Sequence, residues 1–468
     1  MQTSSDVITF PDIEISEALI RRFDHSGPRY TSYPTADRFE SGYTAQSYIN
    51  HLVQRAALQA PAPLSVYVHL PFCESLCYFC ACNKIITQDH SRSAEYIEIL
   101  FQEMDLVSAH LGAARQTIQL HLGGGTPTFL TEVELTRLMQ QLRRHFEFTP
   151  DAELGVEIDP RTVNAQTLSM LAGLGFNRTS FGVQDFDPAV QAAVNRIQPY
   201  DMVRTALQAS RDAGFQSINA DLIYGLPKQN LNSFSRTLDQ LIELSPDRIA
   251  LYNYAHLPTR FKSQRLIQTS DLPSAETRLQ IFLMSVRRLL EAGYVYIGLD
   301  HFAKPDDELN LARLDQSLHR NFQGYTTRVE CDLVGLGVSA IGKIGDAYIQ
   351  NQHSLNAYTE AVSSGTLPVD RGIDMSTDDV MRREVIMTIM CSMPLDFDDF
   401  ELRHGQSFRA LFSAELERLQ PYVEAGLLDI DMRGLRVTPK GRVFVRALAM
   451  VFDRYLARPT VSTYSKLI

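Results

Sequence analysis

Tryptophan is absent from the 468 residues, and that absence excludes nothing by itself. The lack of any apolar run near the roughly 18 residues that a membrane span needs is more informative, and no spanning segment is expected. The opening MQTSSDVITFPDIEIS has neither a basic start nor an apolar stretch, so no secretory signal is expected either. Positive charge is in deficit: 44 Lys and Arg face 55 Asp and Glu, a formal net charge of -11. Binding to a phosphate backbone needs a basic face, so nucleic acid and anionic membranes are not expected partners. Cysteine is scarce as well. There are six, but four crowd between Cys73 and Cys82. The protein is therefore expected to be soluble and cytoplasmic. In a reducing compartment, crowded cysteines point to metal binding or catalysis rather than a disulfide scaffold.

The length of 468 residues suits two or three domains, or one large α/β domain with appendages, and hydrophobic residues, at 44%, suffice for a sizeable core. Three parts are expected. Residues 1–62 form an N-terminal arm with a Pro-, Ser- and Tyr-rich loop, DHSGPRYTSYPTADRF (24–39), and a linker-like AALQAPAP (56–63). Residues 63–373 alternate β-type runs with amphipathic helical stretches. The runs are SVYVHL (65–70), TIQLHL (117–122), ELGVEI (153–158), TSFGVQ (179–184), INADLIYG (218–225) and RIALYNYA (248–255). Helical patterns such as 95–111 and 277–293 lie between or after them. This rhythm predicts an α/β fold, a partial (β/α)6 TIM-like barrel whose chemistry sits at the strand C-terminal ends. Residues 374–468 read as a helical domain ending in a winged-helix-like helix, hairpin and helix.

Cys73-x3-Cys77-x2-Cys80-x-Cys82 directly follows the first strand. Three soft thiolates on one loop suit an iron–sulfur cubane with one iron left open for a ligand. Structural zinc and a redox dithiol are the alternatives. Zinc usually takes paired C-x2-C arms from separate segments, and no second arm is visible. Cys331 and Cys391 are isolated and are expected to be ordinary buried thiols. Cys82 is too close to Cys80 to be an obvious fourth ligand.

The longer string YVHLPFCESLCYFCACNK (67–84) resembles the oxygen-independent coproporphyrinogen III oxidases (coproporphyrinogen dehydrogenases), a family of radical S-adenosylmethionine enzymes. The resemblance extends through PRYTSYPTADRF (28–39), HLGGGTPTFL (121–130), VEIDPR (156–161), SFGVQDFD (180–187), DLIYGLPKQ (221–229), GLDHFA (298–303), RNFQGYTT (320–327) and LVGLGVSAIG (333–342). Leu122 and Ala81 depart from it, at positions where several relatives carry tryptophan and where relatives often carry glycine.

The resemblance implies an oxidoreductase of haem (porphyrin) biosynthesis. Cys73, Cys77 and Cys80 would hold a [4Fe–4S] cluster, and two molecules of S-adenosylmethionine would share one site. Tyr67, Gly124, Glu157 and Ile341 would contact the molecule on the cluster. Phe79, Gly125, Thr126, Gln184, Arg196, Asp221 and Ala255 would contact the second. Several of these stand at strand ends, in agreement with the rim argument. Arg196, in AVQAAVNRI, reads otherwise as a surface arginine on a helix, and Asp159 and Arg161 as a surface pair. The implied reaction turns two propionates of coproporphyrinogen III into vinyls, giving protoporphyrinogen IX. An electron donor and an electron acceptor are needed, and a monomer is expected. No catalytic acid or base is assigned. Arginine matches a carboxylate with two parallel hydrogen bonds. Arg29, Arg320 and Gln323 are therefore the candidate substrate contacts, with Tyr30, Tyr33 and Tyr325 as ring-stacking candidates and the arm as a lid. A radical S-adenosylmethionine-like haem-binding chaperone without decarboxylase activity is the alternative function.

Overall fold

The computed structural model describes residues 7–10, 13–328 and 331–457. The chain forms two compact units, both discontinuous: one of 39–273 and 330–374, the other of 1–38, 274–329 and 375–468.

The first unit carries the expected strand–helix rhythm. Its parallel strands are β1 (Leu64–Leu70), β2 (Gln116–Gly124), β3 (Glu147–Ile158), β4 (Arg178–Gln184), β5 (Ser217–Tyr224) and β6 (Arg248–Asn253). They pair in sequence order. The crossovers are helical: α1 (Ser91–Leu111), α2 (Glu132–His145), α3 (Ala165–Gly173), α4 (Pro188–Ala193), α5 (Tyr200–Asp212) and α6 (Leu231–Leu244). Side-chain caps mark the starts of α2, α3, α4 and α6. Thr131 and Glu134 form a capping box at α2, and Asn230 caps α6 from Ser233. β1 is buried at every position but Tyr67, as a strand covered on both faces requires. β4 instead alternates. Thr179, Phe181 and Val183 are buried, while Arg178, Ser180, Gly182 and Gln184 turn to a more open face. This is the partial (β/α)6 barrel.

Strands beyond the six were not expected. β7 (Asp332–Leu336) lies parallel to β1 on its other edge, and β8 (Ile341–Ile344), β9 (Ala347–Asn351) and β10 (Val369–Asp374) extend the sheet antiparallel. Their glycines, Gly335 and Gly342, interrupt the apolar pattern. Gly335 is needed because a Cβ there would lie 2.5 Å from the carbonyl oxygen of Ile341. α1 braces the β7–β8 turn through Glu103, which is 1% exposed. Its carboxyl accepts from Gly337 N (2.7 Å), Asn351 Nδ2 (2.6 Å) and Tyr358 Oη (2.6 Å).

In the second unit, helix Thr377–Met390 leads to helix Ser413–Glu424, the antiparallel strands Leu428–Ile430 and Gly434–Val437, and helix Val445–Met450. This is the expected helix, hairpin and helix. Its core also takes Ile297, Leu309, Leu318 and Tyr325. Residues 274–329 therefore share a core with the C-terminal helices, and the compact units cut across the linear three-part division. Residues 39–62 belong with the barrel. Tyr30 and Tyr33 also lie in this second core, at 1% and 0% exposure. Tyr30 Oη donates to Asp453 (2.9 Å), and Arg446 holds the Gly27 and Pro28 carbonyls. The expectation that these tyrosines stack on a ligand is corrected: their rings are core, and the arm segment around them is tied down rather than a free lid. Tyr325 is buried too, its hydroxyl on Met390 O at 2.7 Å.

Among the described residues no helix is long and apolar enough to cross a membrane.

Candidate active site

The cysteine loop leaves the end of β1 and is fixed at both ends by backbone bonds. Gly125 N donates to Leu70 O (2.8 Å) and Thr126 N to Phe72 O (2.8 Å), which clamps the loop onto the glycine turn after β2. Ile85 N donates to Pro71 O (2.7 Å) and Thr87 N to Cys73 O (3.0 Å). Between these clamps, Cys80 N reaches Cys77 O (3.2 Å), closing a tight turn. Gly125 is obligatory for this approach, because a Cβ would stand 2.4 Å from Phe72 O.

Cys73, Cys77 and Cys80 line one cleft of about 290 Å³. Among the described residues no three His, Cys, Asp or Glu side chains converge closely enough to hold a single metal ion. Three thiols on one loop that line one cleft suit a cluster, in which each thiolate binds a different iron. The surroundings fit as well. Arg196 Nη1 and Arg161 Nη2 donate to Cys77 Sγ at 3.4 Å and 3.6 Å. Burial, then Cys80 and Cys77, push the Cys73 thiol up to about 12. Coordination to iron is the chemistry that makes such a sulfur a thiolate. Cys82 is exposed, and its thiol donates to Cys80, pulling the Cys80 thiol down. Cys391 is buried as expected, whereas Cys331 is only half-buried.

The same cleft gathers Phe79, Gly124, Gly125, Thr126, Glu157, Gln184, Arg196 and Asp221. Gly124, Glu157, Gln184 and Asp221 come from four neighbouring strands, which adjacent pairing brings level, while Phe79 comes from the cysteine loop and Arg196 from the segment after α4. Glu157 accepts from His121 Nε2 (3.1 Å) and Gly124 N (3.2 Å). Burial works to raise its carboxyl, but the His121 bond and charge, with Gly124 N, bring it below its ordinary value. Burial and then the Glu157 charge push Asp221 up to about 6, although Asn219 and Ser180 donate to it at 2.8 Å and 3.0 Å. The rim thus holds one ionised carboxylate and one poised near neutrality.

Asp159 accepts from both arginines, from Arg161 at 2.6 Å and Arg196 at 3.1 Å. Burial opposes its ionisation, yet Arg196 and then Arg161 hold it below the usual carboxylate range. Two expectations are corrected here. Arg196 is only 8% exposed and lies beyond the end of α4, so it is neither helical nor on the surface. Asp159 and Arg161 pair in the cleft wall rather than in open solvent.

Tyr67, Ala255 and Ile341 do not line this cleft. Tyr67 stacks on His121 (6.1 Å, 17°), its neighbour across the β1–β2 pair, and so backs Glu157. Ala255 lies two residues past β6 and Ile341 opens β8, both half-buried. Arg29, Arg320 and Gln323 belong to the other unit. Arg29 pairs with Asp300, and Arg320 lies over the Tyr325 ring at 4.8 Å. Arg320 Nη1 and both amide atoms of Gln323 are buried without a hydrogen-bond partner among the described residues. Ser180, Gly182 and Lys84 also line the cleft and were not singled out from sequence. The signal for two of them was there: Ser180 and Gly182 precede Gln184 at the strand period of two.

Residues 67–241 match the family model described as the radical SAM superfamily, and 375–444 match the HemN C-terminal domain. An oxygen-independent coproporphyrinogen III oxidase of Pseudomonas aeruginosa is 49% identical over 452 residues, covering 96% of this chain and 98% of the relative. The Escherichia coli protein of that name is 46% identical over the same length. A solved structure of coproporphyrinogen III oxidase (HemN) from Escherichia coli, described as a radical SAM enzyme, superposes with a TM-score of 0.90 at 44% identity. It covers 95% of this chain and 100% of that one. Motifs, cleft and near full-length similarity agree, and the chain belongs to the oxygen-independent coproporphyrinogen III oxidase family of the radical SAM superfamily.

Proposed function

We propose that this chain is an oxidoreductase that decarboxylates two propionates of coproporphyrinogen III to vinyls, giving protoporphyrinogen IX, with a [4Fe–4S] cluster and two molecules of S-adenosylmethionine. The observation that carries this reading is the cleft in which three loop cysteines face Glu157, Gln184, Arg196 and Asp221. When bound, the cluster and S-adenosylmethionine would supply the radical chemistry that removes a hydrogen from the β-carbon of a propionate.

The chain's own residues position and shield. Cys73, Cys77 and Cys80 would ligate the iron, and Arg161 and Arg196, which reach Cys77 Sγ, would offset the thiolate charge. Gly124 and Gly125 let the backbone approach the cofactor, while Glu157 takes its ammonium or hydroxyl groups. Thr126, Gln184, Arg196 and Asp221 hold the second molecule. The family resemblance also assigns Phe79 and Ala255 to it and Tyr67 and Ile341 to the first, although of these four only Phe79 lines the cleft. Each propionate loses CO2, one hydrogen atom and one electron, so an electron acceptor is required besides the donor that reduces the cluster. The substrate is a tetracarboxylate. Arg29, Arg320 and Gln323 supply its recognition, and the partnerless polar atoms of Arg320 and Gln323 are what such a ligand would satisfy. The protein acts as a cytoplasmic monomer.

Anaerobic turnover with S-adenosylmethionine, a reductant and coproporphyrinogen III tests the reading. The product should be lighter by two CO2 and two H2, and Cys77→Ser should give none. Tight haem binding without vinyl formation would overturn it in favour of a haem-binding chaperone.

A further inference from the structure

After β6 the chain runs through Tyr254 and Ala255 into a loop that ends in a short 3-10 helix, Lys262–Leu266. Gln264, on that turn, is 2% exposed. Its Nε2 donates to Phe79 O (3.1 Å) and to Ala255 O (3.2 Å), and its Oε1 accepts from Leu257 N. Two partners are carbonyls that only accept and the third is an N–H that only donates. The amide orientation is thus fixed by chemistry. One buried side chain joins the cysteine loop to the rim of β6, across 185 residues of sequence. The Phe79 ring also packs against the cluster of Val190, Val194, Leu226, Tyr254 and Ile267. The neighbouring Ser263 makes a separate contact, its Oγ donating to Cys80 O at 3.0 Å.

We infer that Gln264 is a positioning residue for the second S-adenosylmethionine. It holds together the carbonyls of Phe79, which lines the cleft, and of Ala255, which does not, and both positions fall to that molecule in the two-cofactor reading. The inference rests on the two-cofactor reading above. None of the residues assigned to the first molecule is in hydrogen-bond contact with Gln264. The cysteine next to Phe79, Cys80, keeps anchors of its own, its N–H donating to Cys77 O and its carbonyl accepting from Ser263 Oγ and Lys84 Nζ, and Cys73 O accepts from Thr87 N, so loss of the amide donors should act on one cofactor molecule and spare the cluster.

Gln264→Glu is the sharpest probe. It keeps the volume and the acceptor for Leu257 N–H but replaces both donations with an oxygen facing two carbonyls. Gln264→Met, of similar volume without polar atoms, is the second variant, should the charged one fail to fold. Full-length protein with reconstituted cluster is dialysed anaerobically against labelled S-adenosylmethionine without reductant, so that no cofactor is consumed. The electron paramagnetic resonance signal of the reduced cluster is recorded separately.

The wild type should bind two molecules. Both variants should keep one at wild-type affinity and the wild-type cluster signal. The second should bind at least about tenfold more weakly, the scale of two lost hydrogen bonds. Ser263→Ala should keep both. Undiminished binding of both molecules in the Gln264 variants would overturn the inference. So would parallel loss of both molecules and the cluster signal, since that marks a merely structural residue, or equal loss in Ser263→Ala. A wild type that binds one molecule defeats the two-cofactor reading itself, and this inference with it.

Discussion

The guanidinium of Arg196 donates to the Sγ of Cys77 across 3.4 Å, and Asp159 Oδ2 at 3.1 Å and Gly182 O at 2.8 Å hold it there. A cation fixed against a ligand sulfur stabilises the more negative, reduced cluster. Arg196→Met should therefore lower the reduction potential of the reconstituted cluster. A change of about 1 kcal/mol between the two oxidation states corresponds to about 40 mV for one electron. Potentiometric titration followed by electron paramagnetic resonance measures it. An unchanged potential would show that the arginine does not act on the cluster.

The glycine turn separates two kinds of crowding. A Cβ on Gly125 meets backbone, 2.4 Å from Phe72 O, whereas one on Gly123 meets the end of the Glu157 side chain at 2.9 Å. Backbone cannot swing aside. Gly125→Ala should cost about 1–3 kcal/mol of stability and impair iron retention. Gly123→Ala should keep its melting temperature and its iron but bind S-adenosylmethionine more weakly. Thermal melts and iron content after reconstitution check both, and a Gly125→Ala protein with wild-type values in each would refute the steric argument.

His121 holds Glu157 by a 3.1 Å hydrogen bond and stacks on Tyr67. His121→Phe keeps the stack and loses the bond. KM for S-adenosylmethionine should rise roughly five- to tenfold, the scale of one hydrogen bond, with kcat little changed. Without the His121 bond and charge, which lower it, the Glu157 carboxyl should protonate at higher pH. The acid limb of kcat/KM should move upward accordingly. A fall in kcat at unchanged KM would contradict this.

Burial raises the Glu103 carboxyl from 4.5 to about 7, against donations from Tyr358, Gly337 and Asn351. The folded protein therefore binds a proton that the unfolded chain has released. The resulting stability is full below about 4.5 and is lost as pH rises through about 7. At about 1.4 kcal/mol for each tenfold change in proton affinity, the swing is about 3 kcal/mol. The other titratable groups facing it, Tyr48, Tyr96 and Tyr358, have their hydroxyls raised by burial and stay neutral throughout. Asp185 and Asp221, both raised to about 6, titrate in the same range, so the difference between variants is the quantity to read. Chemical denaturation from pH 4.5 to 8 should show a shallower decline for Glu103→Gln than for wild type. Parallel curves would remove Glu103 as the cause.

The sequence by itself determined the barrel strands and the cysteine loop, because both are local. Apolar runs at a strand–helix rhythm and three thiols within eight residues need no partner to be recognised. It also determined the family, through motifs spread along nearly the whole chain. The tertiary structure alone decided which side chains face one another. Arg196 reads as a surface helix residue until Asp159, Gly182 and Cys77 surround it. Tyr30 and Tyr33 read as exposed loop aromatics until helices some four hundred residues later bury them. Residues 274–329 read as part of the barrel until their apolar face joins the C-terminal core. Burial and charge pairing are long-range properties. They depend on which distant segments pack together, and a local pattern does not record that. The three cysteines mark the site in the sequence, while the arginines and carboxylates that tune it emerge only when adjacent strands bring their ends level.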